Sequence, residues 1–187
     1  IRDLKNHKNF RSHKRKKILI AGSSGMIGSQ LVAFLDTGGH DVWKLVRREI
    51  IPNSNEIKWD PVNGNINCNE IEGFDAIIHL GGAGIGDKRW TKKRKRLIQE
   101  SREKTTKLLS KTILKLKNKP EVFLIASAIG YYGNRGDEEL TEKSKPGTGF
   151  LTETVLAWEE YAKEVEKLGV RVINIRTGIV LSATGGA

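Results

Sequence analysis

The chain has 187 residues, enough for one domain with a core of its own. Its single cysteine, Cys68, excludes an internal disulfide, and it has neither an apolar run long enough to span a membrane nor one resembling a signal peptide. The net charge of +11 raises nucleic acid as a partner, but residues 1–17 hold eight Lys or Arg against Asp3 alone, leaving the rest only +4. Residues 1–16 therefore read as a basic linker or tail, and a nucleic-acid arm is the weaker reading. A cytoplasmic, reducing location is expected. The first residue is Ile1, so the chain is expected to begin inside a longer one.

Residues 17–39 organise the rest of the chain. A short apolar run, Ile18-Leu19-Ile20-Ala21, reads as a buried parallel strand. A glycine-punctuated turn comes next, with Gly22, Gly25 and Gly28 at three-residue spacing. Ile27, Leu31, Phe34 and Leu35 then fall on one helix face, and Gly38-Gly39 is the expected C-cap. Strand, tight turn and helix form the first half of a βαβ unit. Gly22 lets the chain turn, Gly25 lets backbone approach a pyrophosphate, and Gly28 lets the helix pack on its strand. The spacing differs from the general Gly-x-Gly-x-x-Gly fingerprint, and a glycine turn without a ligand is the competing reading.

Residues 41–46 read as the second strand, ending at Arg47-Arg48. An NAD-preferring site places an acid there for the ribose 2′-OH. Arginine suits a 2′-phosphate, so NADP(H) is expected, against the alternative of two ordinary exposed charges. Residues 56–59 read as a third strand, and Asp60 as a turn cap. Residues 75–80 read as a fourth strand, with His79 a buried structural histidine and Gly81-Gly82-Ala83-Gly84 leaving room for a ligand. The basic block 88–96 opens a helix whose inward stripe is Ile98, Ser101, Thr105, Leu108, Ile113 and Leu116. Intrahelical bonding or a cofactor-side contact is open for Ser101. Residues 121–127 read as a fifth strand delivering Ser127 to the carboxyl edge of the sheet, followed by Gly130-Tyr131-Tyr132-Gly133 in a loop. A helix with Leu151, Val155, Trp158, Ala162, Val165 and Leu168 leads to a strand over 170–175. The sequence shows no metal-ligand cluster. The expected fold is α/β, a doubly wound Rossmann sheet with helices on both faces, over residues 17–187.

Taken together, Gly22-x-x-Gly25-x-x-Gly28, the 75–82 strand with its two glycines, strand-end Ser127 and Arg176-Thr177-Gly178 resemble the short-chain dehydrogenase/reductase superfamily, in its extended and atypical branches. Narrower markers are Gly39-His40-Asp41-Val42, Lys88-Arg89-Trp90-Thr91, Ser101-Arg102 and Gly130-Tyr131-Tyr132-Gly133. With these the chain resembles an NAD-dependent epimerase family once labelled cell-division-inhibitor-like. The resemblance implies cofactor contacts at Gly22, Ser24, Gly25, Met26, Ile27, Gly28, Arg47, Arg48, Leu80, Gly81, Gly82, Ala83 and Ser101. It matches Ser127 to the superfamily's catalytic Ser/Thr; the phenol of an acid/base would come from Tyr131 or Tyr132 in the neighbouring loop, and Tyr132 is the one expected.

Two departures qualify what the resemblance implies. The substrate-binding portion that comes after Gly186 in such proteins is not in this sequence. Residues 2–7 resemble the junction of fusions with an N-terminal START-like domain. The superfamily's Tyr with a Lys four residues on is also missing, since no Tyr here has a Lys at that spacing. The expected function is an NADP(H)-dependent epimerase or oxidoreductase acting on a small molecule, with a nucleotide sugar as the substrate class. The alternative is a non-catalytic NADP(H)-binding regulator or scaffold.

Overall fold

The computed structural model describes residues 14–86, 88–182 and 185–186. A seven-stranded sheet runs β4-β3-β2-β1-β5-β6-β7. In chain order the strands are β1 (Lys17–Ala21), β2 (Asp41–Val46), β3 (Glu56–Asp60), β4 (Asn65–Ile66), β5 (Ala76–His79), β6 (Val122–Ala128) and β7 (Arg171–Thr177). Six of the strands pair in parallel, and β4 alone is antiparallel. The expected doubly wound fold is what the chain adopts. A two-stranded ribbon, β8 (Leu181–Ser182) with β9 (Gly185–Gly186), stands apart.

The sheet reads from the sequence because its central strands are apolar on both faces. Leu19, Ile20 and Ala21 are fully buried and Ile18 nearly so. Helix α1 (Met26–Thr37) covers one face, where Leu31, Val32 and Leu35 pack on Ile18, Ile20, Val42 and Ile78. The short helix α2 (Cys68–Ile71), between β4 and β5 in the chain, puts Ile71 into the core. Helices α3 (Lys92–Lys115) and α4 (Phe150–Glu166) cover the other face, enclosing Leu19, Ile77, Phe123, Ile125, Leu109, Ile113, Trp158 and Val165.

Several expectations need correction. The strands expected over 75–80 and 121–127 run over Ala76–His79 and Val122–Ala128 and are the fifth and sixth, because Asn65 and Ile66 add a two-residue strand beside Asp60 and Trp59. So short a strand carries no periodicity; the Asp60 turn sets it, its carboxylate accepting from Val62 N and Asn63 N. The inward side of α1 carries the buried Gly28 and the half-buried Leu31 and Leu35, while Ile27 (40 %) and Phe34 (66 %) stay exposed. The reason is Gly28: a Cβ there would sit 2.1 Å from Gly22 O, so this residue must face the turn and thereby fixes the helix rotation. On α3 the buried line runs through Ile98, Thr106, Leu109 and Ile113 rather than through Leu108.

The basic tail falls mostly outside the described residues. Lys16, counted with it, is already part of the fold: its Nζ donates to Asp75 (3.1 Å) and Glu121 (2.8 Å), and its carbonyl accepts from Asp41 N.

Candidate functional site

A cavity of about 840 Å³ opens at the carboxyl ends of the parallel strands. It lies beside β1, where the strand order reverses between β2 and β5. Gly22, Ser23 and Ser24 of the first turn line it, as do Arg47 and Arg48 after β2, Gly81, Gly82 and Ala83 after β5, and Ser101 and Thr105 of α3.

The first turn is built around an open helix end. Gly22 has φ 86°, and a Cβ there would lie 2.8 Å from Gly81 N, so the two strand ends meet only through glycine. Gly25 N–H donates to Gly22 O at 3.1 Å, closing the turn. Gly25 is also the N-cap of α1, with no side-chain cap, and the helix has no acidic residue in its first turn. Free N–H groups and the positive dipole end therefore face outward with no acid of the helix's own to neutralise them, which suits an anion. A Cβ on Gly25 would meet only Gly22 O, at 3.4 Å, an ordinary contact. Its lack of a side chain is not required by the protein's own packing. Met26 and Ile27 begin the helix; these two, Gly25, Gly28 and Leu80 shape the turn and the strand end without lining the cavity.

The two arginines after β2 differ. Arg48 grips the buried Glu56 carboxylate in a fork at 2.9 and 2.6 Å, and Glu56 also accepts from Ile51 N at 3.0 Å. The guanidinium, helped by that N–H, holds the Glu56 carboxyl down at about 2. Arg48 is thus committed to the fold. Arg47 is exposed, lines the cavity and has no hydrogen-bond or ion-pair partner among the described residues.

The opposite wall is a chain of hydrogen bonds. Gly81 N–H donates to His79 Nδ1 at 3.3 Å, which leaves Nε2–H to donate to Thr105 Oγ1 at 2.9 Å. Thr105 Oγ1 in turn donates to Ser101 O at 2.6 Å. Ser101 Oγ accepts from Ala83 N at 3.0 Å and donates to Ile98 O, while Arg102 donates to Ala83 O at 2.9 Å. His79 is wholly buried between Trp59 and Trp158, and burial, with Arg102 nearby, lowers its pKa to about 3. It is the structural, neutral histidine expected, and it pins the turn beside the cavity. Ser101 bonds within its helix, as the intrahelical option has it, and also lines the cavity.

Ser127 and Tyr132 lie elsewhere. Ser127 is 2 % exposed and donates to Glu159 Oε1 at 2.6 Å. Arg176 clasps the same carboxylate at 2.9 and 2.8 Å and donates to Tyr132 Oη at 3.1 Å; its Cζ sits 3.4 Å from the Tyr131 ring centroid. The carboxylate raises the Arg176 pKa further. One polar cluster therefore joins Ser127 to Tyr132, but neither residue lines the cavity.

Sequence reasoning missed Glu159, Thr105 as a partner of His79, Arg102, and Trp59, which is buried and also lines the cavity. Only Glu159 left a signal: an acid at an inward position of α4, between Trp158 and Ala162, must find a partner.

Known proteins share this sequence pattern and this architecture. The model of the NAD dependent epimerase/dehydratase family matches residues 18–186. An epimerase family protein of Mycobacterium bovis is 38% identical over 169 residues, covering 90% of this chain and 55% of that protein. One from Staphylococcus saprophyticus is 40% identical over 177 residues, covering 92% and 58%. The chain thus spans little more than half the length of these relatives. Among solved structures, a nucleoside-diphosphate sugar epimerase from Corynebacterium glutamicum superposes with a TM-score of 0.83 at 37% identity, over 100% of this chain and 39% of that one. A human epimerase family protein solved with NADPH gives 0.76 at 29% identity, over 91% and 56%.

Proposed function

The chain belongs to the NAD dependent epimerase/dehydratase family, and we propose that it is an NADP(H)-binding member acting on a nucleotide sugar. One observation carries the choice of cofactor: Arg47 lines the cavity with no partner among the described residues, while Arg48 is held by Glu56. A guanidinium left free at the end of β2 matches a 2′-phosphate in charge and fork geometry. The residues present fit a dinucleotide, since the uncapped α1 terminus would receive its pyrophosphate and Arg47 its 2′-phosphate. The relative solved with NADPH and the nucleoside-diphosphate sugar epimerase support the cofactor and the substrate class.

When bound, the nicotinamide would take up and return the hydride. The chain's own task is to move a proton. Tyr132 Oη accepts from Arg176 and keeps its own proton uncommitted among the described residues, whereas Ser127 spends its proton on Glu159. In this reading Tyr132 is the acid/base and Ser127 orients the cluster. The test is separation of the sugar epimers or oxidation products after incubation of NADP-loaded protein with a panel of nucleotide sugars, with Tyr132→Phe expected to abolish turnover. Turnover unaffected by that change would move the acid/base elsewhere.

A second reading, a non-catalytic NADP(H)-binding regulator or scaffold, is favoured by two facts. Ser127 and Tyr132 are both buried outside the cavity, and no Tyr with a Lys four residues on is present. Tight NADPH binding with no turnover across the panel would select it.

A further inference from the structure

We propose that Arg102 is a positioning residue for the bound dinucleotide: from beneath the turn 81–83 it fixes the backbone and supplies a positive charge that an anionic ligand completes. The proposal rests on the dinucleotide reading above. Arg102 Nη1 donates to Ala83 O and to Ile98 O, both at 2.9 Å, so one nitrogen ties the turn to α3. The guanidinium carbon lies 5.1 Å from the Trp158 ring centroid. A Cβ on Gly82 would be 3.0 Å from that carbon, which puts the charge directly against the Gly82 backbone. Gly82 and Ala83 line the cavity on the other side.

Among the described residues no carboxylate reaches Arg102: Glu100 is taken by Arg96 and Lys104, and Glu103 accepts from Gln99. Its charged neighbour is another cation, Arg94, whose guanidinium donates to Gly84 O. Burial, and then Arg94, push the Arg102 pKa down to about 10. Charges withdrawn from water are normally paired, and carbonyl dipoles with one indole ring make a partial substitute. Gly82 N–H is likewise without a partner among the described residues. A phosphate or diphosphate lying over the turn would meet both the free N–H and the positive field behind it.

The experiment compares wild type with Arg102→Met, which keeps the packing and removes the charge, and with Arg102→Lys, which keeps the charge. Three probes are titrated: NADPH, NADH and adenosine 2′-monophosphate, which carries only the phosphate that faces Arg47. The methionine variant should bind both dinucleotides at least ~10-fold more weakly, the scale of a charge-assisted contact, with its affinity for the monophosphate unchanged. The lysine variant should recover most of the loss. Equal loss for all three probes would mean general damage to the fold and would overturn the proposal, as would no loss for any, or a lysine variant as weak as the methionine one. Should the methionine variant fail to fold, Arg102→Gln gives the same comparison. Wild type that binds neither dinucleotide would sink the cofactor reading itself, a result separable from a variant that binds as well as wild type.

Discussion

Residue by residue, the site divides into groups the fold consumes and groups it leaves over. Arg47 is left over. Arg47→Ala should weaken NADPH by roughly 1.5–3 kcal/mol, the worth of a hydrogen bond to a charged group, and leave NADH nearly unchanged. Calorimetric titration of both cofactors checks this, and wild-type affinities equal for the two would remove its basis. The two glycines flanking the start of α1 should separate in the same manner. Gly28→Ala drives a Cβ to 2.1 Å from Gly22 O. It should destabilise the domain by about 3 kcal/mol, the upper part of the overpacking range. Gly25→Ala meets nothing closer than 3.4 Å, so it should leave the thermal midpoint near wild type while weakening dinucleotide binding. A Gly25→Ala variant that unfolds would show that the turn, rather than the ligand, needs this glycine.

At the scale of elements, two polar clusters tie helices to strand ends. The first joins β5 to α3 through His79 and Thr105. His79 is held below its ordinary value, at about 3 instead of 6.5. Its contribution to stability is therefore present above pH 6.5 and is lost as pH falls toward 3, because the unfolded chain takes up the proton first. Between pH 6.5 and 4.5 the loss should approach ~1.4 kcal/mol per pH unit. Below that window Glu56 and Glu100, both lowered from 4.5 to about 2, add their own acid sensitivity. Thermal midpoints from pH 7.5 to 4.5 should fall steeply in wild type and much less in His79→Gln; parallel curves would assign the loss to another group. The second cluster joins α4, β6 and β7 through Glu159 and Arg176, whose side chains are 9% and 19% exposed. Arg176→Met strands the Glu159 carboxylate. It should cost roughly 2–3 kcal/mol in chemical denaturation, somewhat less than the 3–5 of a fully buried pair.

For the molecule as a whole, the cavity belongs to the sheet rather than to any one element, and ligand binding should therefore stabilise the entire domain. NADPH at 100 times its dissociation constant should add about 2.7 kcal/mol to unfolding free energy. At equal concentration NADH should raise the midpoint less. The phosphate turn, Arg47 and the 81–83 turn all line or border one cavity within a single sheet, so this response needs no other segment. Absence of any shift with either dinucleotide would count against the functional reading at its root.

The sequence by itself determined the strand–turn–helix opening, the parallel, doubly wound class of the sheet, and the buried His79. These rest on local signals: uninterrupted apolar runs, glycine spacing, and a polar ring placed inside an apolar strand. It also named Arg47 and Arg48 as a pair, but could not tell them apart. Only the tertiary structure decided that, because Glu56 lies eight residues on from Arg48, in another strand, and takes one guanidinium out of use. The rotation of α1 was likewise settled by a contact, Gly28 against Gly22, that outranks the apolar count of its helix. The same holds for Ser127 and Tyr132. Their strand-end and loop positions are legible, yet whether their hydroxyls meet a ligand or a carboxylate depends on Glu159 and Arg176, 32 and 44 residues away. Periodicity records which side of an element is buried. It does not record which distant charge arrives there, and that pairing is fixed only when the sheet brings its strand ends together.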